Sequence, residues 1–186
     1  MLKKFTTKEL VFSSLAGALM FVLSFAFGSM LNVALGNPAA SGLASTFIQA
    51  IIMTLAIGIV RKFGVITLMW VIYGILAIPT NMLGSLPAIL KMGLALGIGI
   101  IFDFVVFLGN YKKWSLFLGF VVMYIFLVPA TLYIYYALGL PNADVLLKSA
   151  PYLFVIFLVE SFIGIFVGLY IHKKIKNKRF VRQFAY

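Results

Sequence analysis

The stretch LPAILKMGLALGIGIIFDFVVFLG, residues 86–109, decides how the chain folds. It is apolar along almost its whole length and is long enough to cross the hydrocarbon core of a bilayer, for which a helix needs about 20 residues. The same stretch contains Lys91 and, twelve residues later, Asp103. Because a charged side chain is costly at membrane depth, each of these two residues must have a partner or a function there.

Apolar runs of this kind recur along the chain. Of its 186 residues, 64% are hydrophobic and 10% are charged, and its mean hydropathy of +1.15 lies outside the range of soluble domains. Helices satisfy their own backbone hydrogen bonds, and the sequence lacks the short alternating segments of a membrane β-barrel. We therefore expect an all-α membrane protein, one integral domain over residues 1–186 with six transmembrane spans. The spans are expected near Leu10–Leu31, Ser41–Val60, Phe63–Ile78, Pro87–Gly109, Trp114–Leu138 and Tyr152–Ile171.

The basic residues predict how the spans are oriented. Thirteen of the 15 lysines and arginines precede the first span, follow the last, or lie in the turns RKFG (61–64) and NYKKW (110–114). The positive-inside rule then places both termini in the cytoplasm of a multi-pass plasma-membrane protein. Anionic lipid headgroups beside the spans account for the net charge of +11, so we expect the lipid bilayer and no nucleic acid as a partner.

Lys91 and Glu160 are expected within the membrane below its outer face. The loops between helices at that face are longer than those at the cytoplasmic face and are nearly uncharged. These loops either carry an outward-facing site or merely tolerate variation. At about 1.5 Å per residue, Lys91 lies about 6 Å along the fourth span and Glu160 about 12 Å along the sixth. Lys91 either snorkels back to the headgroups or shares a pocket with Glu160, which is too deep to snorkel. Asp103 lies about 18 Å beyond Lys91, so we expect it to cap or pair with groups near the cytoplasmic end.

Aromatic and amide side chains complete the candidate pocket. Trp70 and Tyr73 are three residues apart in the third span, and Trp70 is too deep for an interfacial belt, so it is a candidate to stack on a ligand. Tyr133 belongs to a group of tyrosines at the outer end of the fifth span, which forms either such a belt or a stacking surface. Asn81 adds a neutral hydrogen-bonding group. The predicted ligand-binding residues are Lys91, Glu160, Trp70, Asn81, Tyr73 and Tyr133.

Pairs of small residues four positions apart indicate where helices pack closely. Such pairs are Gly93 with Gly97, Gly164 with Gly168, and, in the first span, both Ser13 with Gly17 and Ser14 with Ala18. Packing within the bundle explains all of them. The alternative for the small residues of the first span is a docking face for a partner subunit, because they lie near the cytoplasmic end, and Ser14 and Ala18 are the predicted docking residues.

The sequence offers little for catalysis. Its only histidine, His172, belongs to the tail, so a serine nucleophile in the membrane would have no base. The motif GIGIIFD (97–103) is similar to the Gly-x-Gly-Asp of intramembrane aspartyl proteases, but its Asp is displaced and the second intramembrane Asp is missing. There is no Walker loop, no cysteine and no metal-ligand cluster. We expect no enzyme activity, no metal and no cofactor, with an intramembrane enzyme as the least favoured alternative.

In size and layout the whole chain resembles the substrate-binding membrane subunits (S components) of energy-coupling factor (ECF) vitamin transporters. The similar segments are TTKELVFSSLAGALMFVLSF (6–25), GSLPAILKMGLALGIGIIFD (84–103) and the short basic turns. Family members carry an Ala-x-x-x-Ala pattern in the first helix, which contacts the coupling subunit. The match in this chain is Ser14-Leu-Ala-Gly-Ala18, with serine at the first place.

The resemblance implies a subunit that captures a water-soluble B vitamin or precursor from outside, in a pocket closed by the loops between spans 1 and 2 and spans 3 and 4. It implies a transmembrane coupling subunit and two cytoplasmic ATPase subunits as partners, with toppling of the S component during uptake. Thiamine-like or pyrimidine ligands would suit the aromatic residues, with Glu160 facing an amino group. The alternative is a stand-alone proton- or ion-coupled carrier in which Glu160 and Asp103 are relay points.

Overall fold

Six α-helices joined by short connections form the described part of the protein. The computed structural model describes residues 4–35, 39–80, 82, 86–139, 143–178, 181, 183 and 184. The helices are α1 (Thr7–Leu35), α2 (Ala39–Ile59), α3 (Val65–Ala77), α4 (Ala88–Leu108), α5 (Lys113–Ala137) and α6 (Ala143–Ile175). The described residues contain no strand, so the prediction of an all-α membrane protein with six helices is confirmed.

The helices differ in length more than the predicted spans do. Within the part of the chain whose residues are described in full, four helices are long and apolar enough to cross a membrane, and they lie within α1, α4, α5 and α6. The helix α3 has 13 residues, or about 20 Å, which is less than the roughly 30 Å of a hydrocarbon core. It follows Gly64, whose φ of 98° is left-handed, and it ends two residues before Pro79. At the other extreme, α6 begins nine residues before the predicted start at Tyr152, because it accommodates Pro151 within the helix.

Helices that follow one another along the chain run in opposite directions. Around the bundle their order is α1, α2, α6, α5, α4, α3, and α3 closes the ring by contacting α1. The helix α2 also contacts α3 across the bundle. The N-terminus of α1, the C-terminus of α6 and the turns RKFG and NYKKW lie at one end, called the basic end here. The opposite end, where α1, α3 and α5 finish, is called the neutral end.

Close packing of α6 on α2 depends on glycine. A Cβ added to Gly164 would lie 2.7 Å from Ala50 Cβ, and one added to Gly168 would lie 2.8 Å from Thr54 Cβ. Real Cβ atoms do not approach so closely, so the two helices are nearer together than any larger residue would permit. The prediction that Gly164 and Gly168 mark a packing face is confirmed.

The packing face of α4 is a different one from the predicted face. Nothing lies within 4 Å of a Cβ added to Gly93 or Gly97, so these two glycines face away from the bundle and the prediction from their spacing was wrong. A Cβ added to Gly99 would lie 2.6 Å from Thr67 Cα of α3. The row that packs on α3 repeats every four residues and consists of Lys91, Ala95, Gly99 and Asp103. Such rows form the ridges by which helices interlock.

A buried ion pair joins segments at the basic end. The Glu9 carboxylate accepts hydrogen bonds from the Thr6 backbone N–H at 2.6 Å and from the Thr6 hydroxyl at 3.0 Å, which makes a capping box at the start of α1. The same oxygen accepts a hydrogen bond from Lys62 Nζ at 2.8 Å, and Lys62 also donates to the Lys4 carbonyl at 2.7 Å. One carboxylate therefore links the first turn of α1 to the turn between α2 and α3.

Candidate functional site

An aromatic and polar cluster lies inside the bundle where α1, α2 and α3 meet. The Tyr73 hydroxyl accepts a hydrogen bond from Gln49 Nε2 at 3.1 Å. The Trp70 ring lies 5.1 Å from the Tyr73 ring between centroids, and Phe21 stands edge-on to Tyr73 at 5.5 Å. Trp70 and Tyr73 are only 2% and 1% exposed. We call Phe21, Gln49, Trp70 and Tyr73 the tryptophan cluster; two predicted site residues meet in it.

A second polar group joins α2, α5 and α6. The Ser161 hydroxyl donates to the Phe157 carbonyl at 2.7 Å, so the Tyr124 hydroxyl is the donor in its 3.2 Å contact with Ser161 Oγ. Thr46 also hydrogen-bonds Tyr124, and Glu160 is close enough to interact electrostatically with that phenol. We call Thr46, Tyr124, Glu160 and Ser161 the glutamate cluster. It contains the third predicted site residue.

Unpartnered polar atoms face this part of the interior. Among the residues that the structure describes, Trp70 Nε1 and Glu160 Oε2 are buried atoms without a hydrogen-bond partner, whereas Ser24 Oγ lies within hydrogen-bond reach of the Tyr73 hydroxyl. Such an atom costs about 1–3 kcal/mol when nothing satisfies it, and native structures leave few of them. Thr46 and Gln49 are three residues apart on α2, so one face of this helix connects the two clusters. The arrangement can accept a cationic or N–H group at the carboxylate and donate hydrogen bonds beside aromatic rings.

Lys91 lies at the C-terminal end of α3. Its side chain is 3% exposed, and Nζ donates to the carbonyls of Ala77, at 3.1 Å, and of Thr80. The snorkelling interpretation was therefore wrong. Within the described ranges no hydrogen bond or ion pair joins Lys91 to Glu160, whose helices are separated in the ring by α5. The two charges therefore do not pair directly, and contact of Lys91 with a ligand stays a prediction.

Asp103 caps the opposite end of α3. Its Oδ2 accepts hydrogen bonds from the Thr67 N–H and hydroxyl, both at 2.7 Å, and its Oδ1 accepts one from the Ile66 N–H at 3.3 Å. The prediction that Asp103 caps groups near this end of the bundle is confirmed. In the turn after α4, burial and then the negative charge of Asp103 raise the pKa of Tyr111 to about 12.

The remaining predicted ligand residues lie apart from the two clusters. Tyr133 is 74% exposed and lines a shallow depression at the neutral end with Leu132, Tyr136 and Leu147. This position agrees with the interfacial-belt interpretation, and the structure does not bring Tyr133 to the tryptophan cluster. Asn81 lies outside the described residues, so its role stays a prediction.

The predicted docking residues border the exposed face of α1. Ser14 and Ala18 are partly exposed, whereas Ser13 and Gly17, each one position earlier, are buried. A Cβ added to Gly17 would lie 2.6 Å from the Met69 carbonyl oxygen, so this neighbouring pair packs on α3. Ser14 and Ala18 remain accessible for a partner, and their docking role stays a prediction.

Sequence reasoning missed several members of the interior, among them Tyr124, Ser161 and Ser24. Tyr124 is the one hydroxyl-bearing residue in the apolar run 116–130, and Ser161 directly follows Glu160. Ser24 lies eleven residues, or three helical turns, after Ser13, so both share the buried face of α1. A polar residue within an apolar span was the signal that could have identified each of them.

Comparisons with known proteins agree with this architecture. No significant match was found among curated proteins or among solved structures. A family model described as hypothetical bacterial integral membrane protein (Trep_Strep) matches residues 7–140. The matched part includes α1 to α5, with the tryptophan cluster and the packed pair α3 and α4, while α6 follows it. Because the match covers more than half of the chain, the protein belongs to the Trep_Strep family of bacterial integral membrane proteins.

Proposed function

We propose that the protein binds a small water-soluble molecule inside its bundle and serves as the substrate-binding subunit of an ECF-type importer. The observation that carries this proposal is one unpartnered atom in each cluster: Trp70 Nε1 beside the Tyr73 ring, and Glu160 Oε2 near Tyr124. An ionisable residue within a membrane bundle indicates a functional site, and ligand sites combine apolar walls with a few polar groups. A bound solute would supply the missing hydrogen-bond partners.

The chemistry of these groups suits a ring-bearing ligand with an amino or ammonium group. Trp70 and Tyr73 provide aromatic surface for stacking, and the Trp70 indole N–H donates to an acceptor on the ligand. The Glu160 carboxylate accepts hydrogen bonds from the amino group and balances its charge. A thiamine-like or pyrimidine compound has this combination, and other B vitamins are alternatives.

Partner subunits supply the energy in this proposal, because the chain contains no Walker loop. Its resemblance to S components favours a transmembrane coupling subunit and two ATPase subunits on the cytoplasmic side. The positive-inside rule places the basic end on that side. Ser14 and Ala18 are partly exposed on α1 toward the basic end, and they form the proposed docking surface for the coupling subunit.

A stand-alone proton- or ion-coupled carrier is the rival function. It would need ionisable relay points along one route through the bundle. Both oxygens of Asp103 already accept hydrogen bonds from α3, and α5 lies between the helices of Asp103 and Glu160. These contacts count against Asp103 as a relay and favour the importer subunit.

Binding by the purified protein tests the proposal. Small molecules extracted from the detergent-solubilised chain are identified by mass spectrometry and titrated back by calorimetry. We expect saturable one-to-one binding without any partner subunit. Glu160→Gln should weaken binding by roughly 30-fold or more, since it leaves a ligand cation uncompensated. Trp70→Phe keeps a ring but removes the N–H donor and should weaken binding by about 5- to 10-fold.

Tyr133→Phe is the matched control, because it also changes one polar atom on an aromatic ring but lies outside both clusters. It should bind like the parent protein. A chain that binds no small molecule would refute the proposal, and so would equal losses in Tyr133→Phe and Trp70→Phe. Uptake by the chain alone in vesicles with an imposed proton gradient would favour the carrier.

A further inference from the structure

We propose that Lys91 and Asp103 are positioning residues that clamp the two ends of α3 and so hold Trp70 and Tyr73 at the depth where the solute binds. The clamp is argued from the contacts of α3 itself. Its effect on binding deepens the proposed function and rests on it.

The two charged residues are spaced to match the helix that they hold. Asp103 accepts the N–H groups of Ile66 and Thr67 at one end of α3, and Lys91 donates to the Ala77 and Thr80 carbonyls at the other. Twelve residues of α4 separate the two charges by about 18 Å, and the 13 residues of α3 extend over about 20 Å. One helix therefore carries both caps of its neighbour.

The signs of the charges complement the ends of α3. Unpaired N–H groups give a helix N-terminus a partial positive charge, and unpaired carbonyls give its C-terminus a partial negative charge. Asp103 lies at the positive end and Lys91 at the negative end. Because α3 is too short to reach water at both surfaces of a bilayer, its terminal groups need protein partners, and these two side chains provide them.

Close packing between the charges fixes the position of α3 along α4. A Cβ added to Gly99 would lie 2.6 Å from Thr67 Cα, and one added to Gly74 would lie 2.8 Å from Ala95 Cβ. Sliding α3 along its axis would drive larger side chains into both contacts and would stretch the hydrogen bonds at both ends. The register of the two helices is therefore determined at four points.

The aromatic residues lie between the caps. Trp70 is three residues after Thr67, which hydrogen-bonds Asp103, and Tyr73 is four residues before Ala77, which hydrogen-bonds Lys91. Each ring is thus one helical turn from a cap. Loss of a cap would let α3 shift or fray at that end, and the rings would move with it.

The test separates positioning from direct ligand contact and from general stabilisation. Lys91→Met removes the donor at similar side-chain length, Lys91→Arg retains a donor, and Lys148→Met is a control at an exposed lysine of α6. Affinity for the solute recovered from the parent protein is measured by calorimetry. The position of α3 is measured by electron–electron resonance between spin labels on cysteines placed at Ile75 and Leu108.

These label sites are exposed, and the chain has no other cysteine. Gly74 faces Ala95, so Ile75 and Leu108 are separated along α4 by about 13 residues, or roughly 20 Å. We expect Lys91→Met to broaden or shift this distance and to weaken binding by about tenfold or more. Lys91→Arg should restore both measurements, Asp103→Asn should change both in the direction of Lys91→Met, and Lys148→Met should change neither.

Three results would overturn the proposal. Weaker binding with an unchanged label distance would mean that Lys91 contacts the solute directly. Reduced thermal stability with unchanged distance and affinity in the folded protein would mean that the caps only stabilise the fold. If the label distance, the affinity and the thermal stability were all unchanged, the caps would be dispensable. If the parent protein binds no solute, the proposed function fails, while the label distance still decides whether the clamp exists.

Discussion

Substituting alanine for Gly164 should destabilise the bundle, although alanine is the better helix former. The added Cβ would lie 2.7 Å from Ala50 Cβ and 2.8 Å from the Phe47 carbonyl oxygen of α2. Ordinary contacts begin at 3.4 Å, so α6 and α2 would have to separate by about 0.7 Å. Overpacking of this kind costs about 1–3 kcal/mol, and the gain in helix propensity offsets about 0.5–1 kcal/mol of it. The net loss should be about 0.5–2 kcal/mol.

Gly93→Ala is the matched control in the same protein. Nothing lies within 4 Å of a Cβ added at this position of α4. The substitution should therefore leave packing intact and stabilise the folded state by up to about 1 kcal/mol through helix propensity. The two substitutions are chemically identical and should have opposite effects.

Thermal unfolding of the detergent-solubilised variants measures the difference. For a chain of this size, 1 kcal/mol corresponds to about 2–4 °C in the unfolding midpoint. Gly164→Ala should unfold a few degrees below the parent protein, and Gly93→Ala at the parent temperature or above it. Equal shifts in the same direction would refute the close approach of α6 to α2.

Three further outcomes are expected at the basic end and across the membrane. Glu9→Gln keeps an acceptor for the capping box but removes the negative charge that lies 2.8 Å from the buried Lys62 ammonium, so the free energy of unfolding should fall by more than the roughly 1 kcal/mol of an exposed pair. A loss below about 1 kcal/mol would contradict a buried pair. A single cysteine replacing Lys148 should label from outside intact cells, and one replacing Lys176 only after permeabilisation; the reverse pattern would overturn the proposed orientation. Ala18→Leu should abolish partner-dependent uptake yet leave solute binding by the isolated chain unchanged, whereas loss of both would place Ala18 in bundle packing.

The helix content and number could be predicted from the sequence because they depend on local properties. Apolar run length and the basic residues that flank the runs were enough to identify six helices. The third predicted span, Phe63–Ile78, was already shorter than a full crossing, and the structure shortens the helix further to the 13 residues of α3. The early start of α6 was missed because Pro151 was not expected inside a helix.

The site could be predicted only where its residues share one helix. Trp70 and Tyr73 are three residues apart, and this spacing alone places both on one face. The partners of Lys91 are carbonyls at the end of another helix, and their position depends on how α3 packs on α4. The same limit applies to Gly93 and Gly97, since the spacing of small residues does not indicate which side of a helix faces its neighbour.

The central claim is that a solute binds inside the bundle against Trp70. The fluorescence of this residue during ligand titration tests the claim most directly. The chain has two tryptophans, so Trp114→Phe leaves Trp70 as the only indole. Titration with the solute recovered from the parent protein should change the Trp70 emission saturably, with the same Kd as calorimetry on that variant. Saturable binding by calorimetry without any change in Trp70 emission would contradict the claim and place the solute elsewhere.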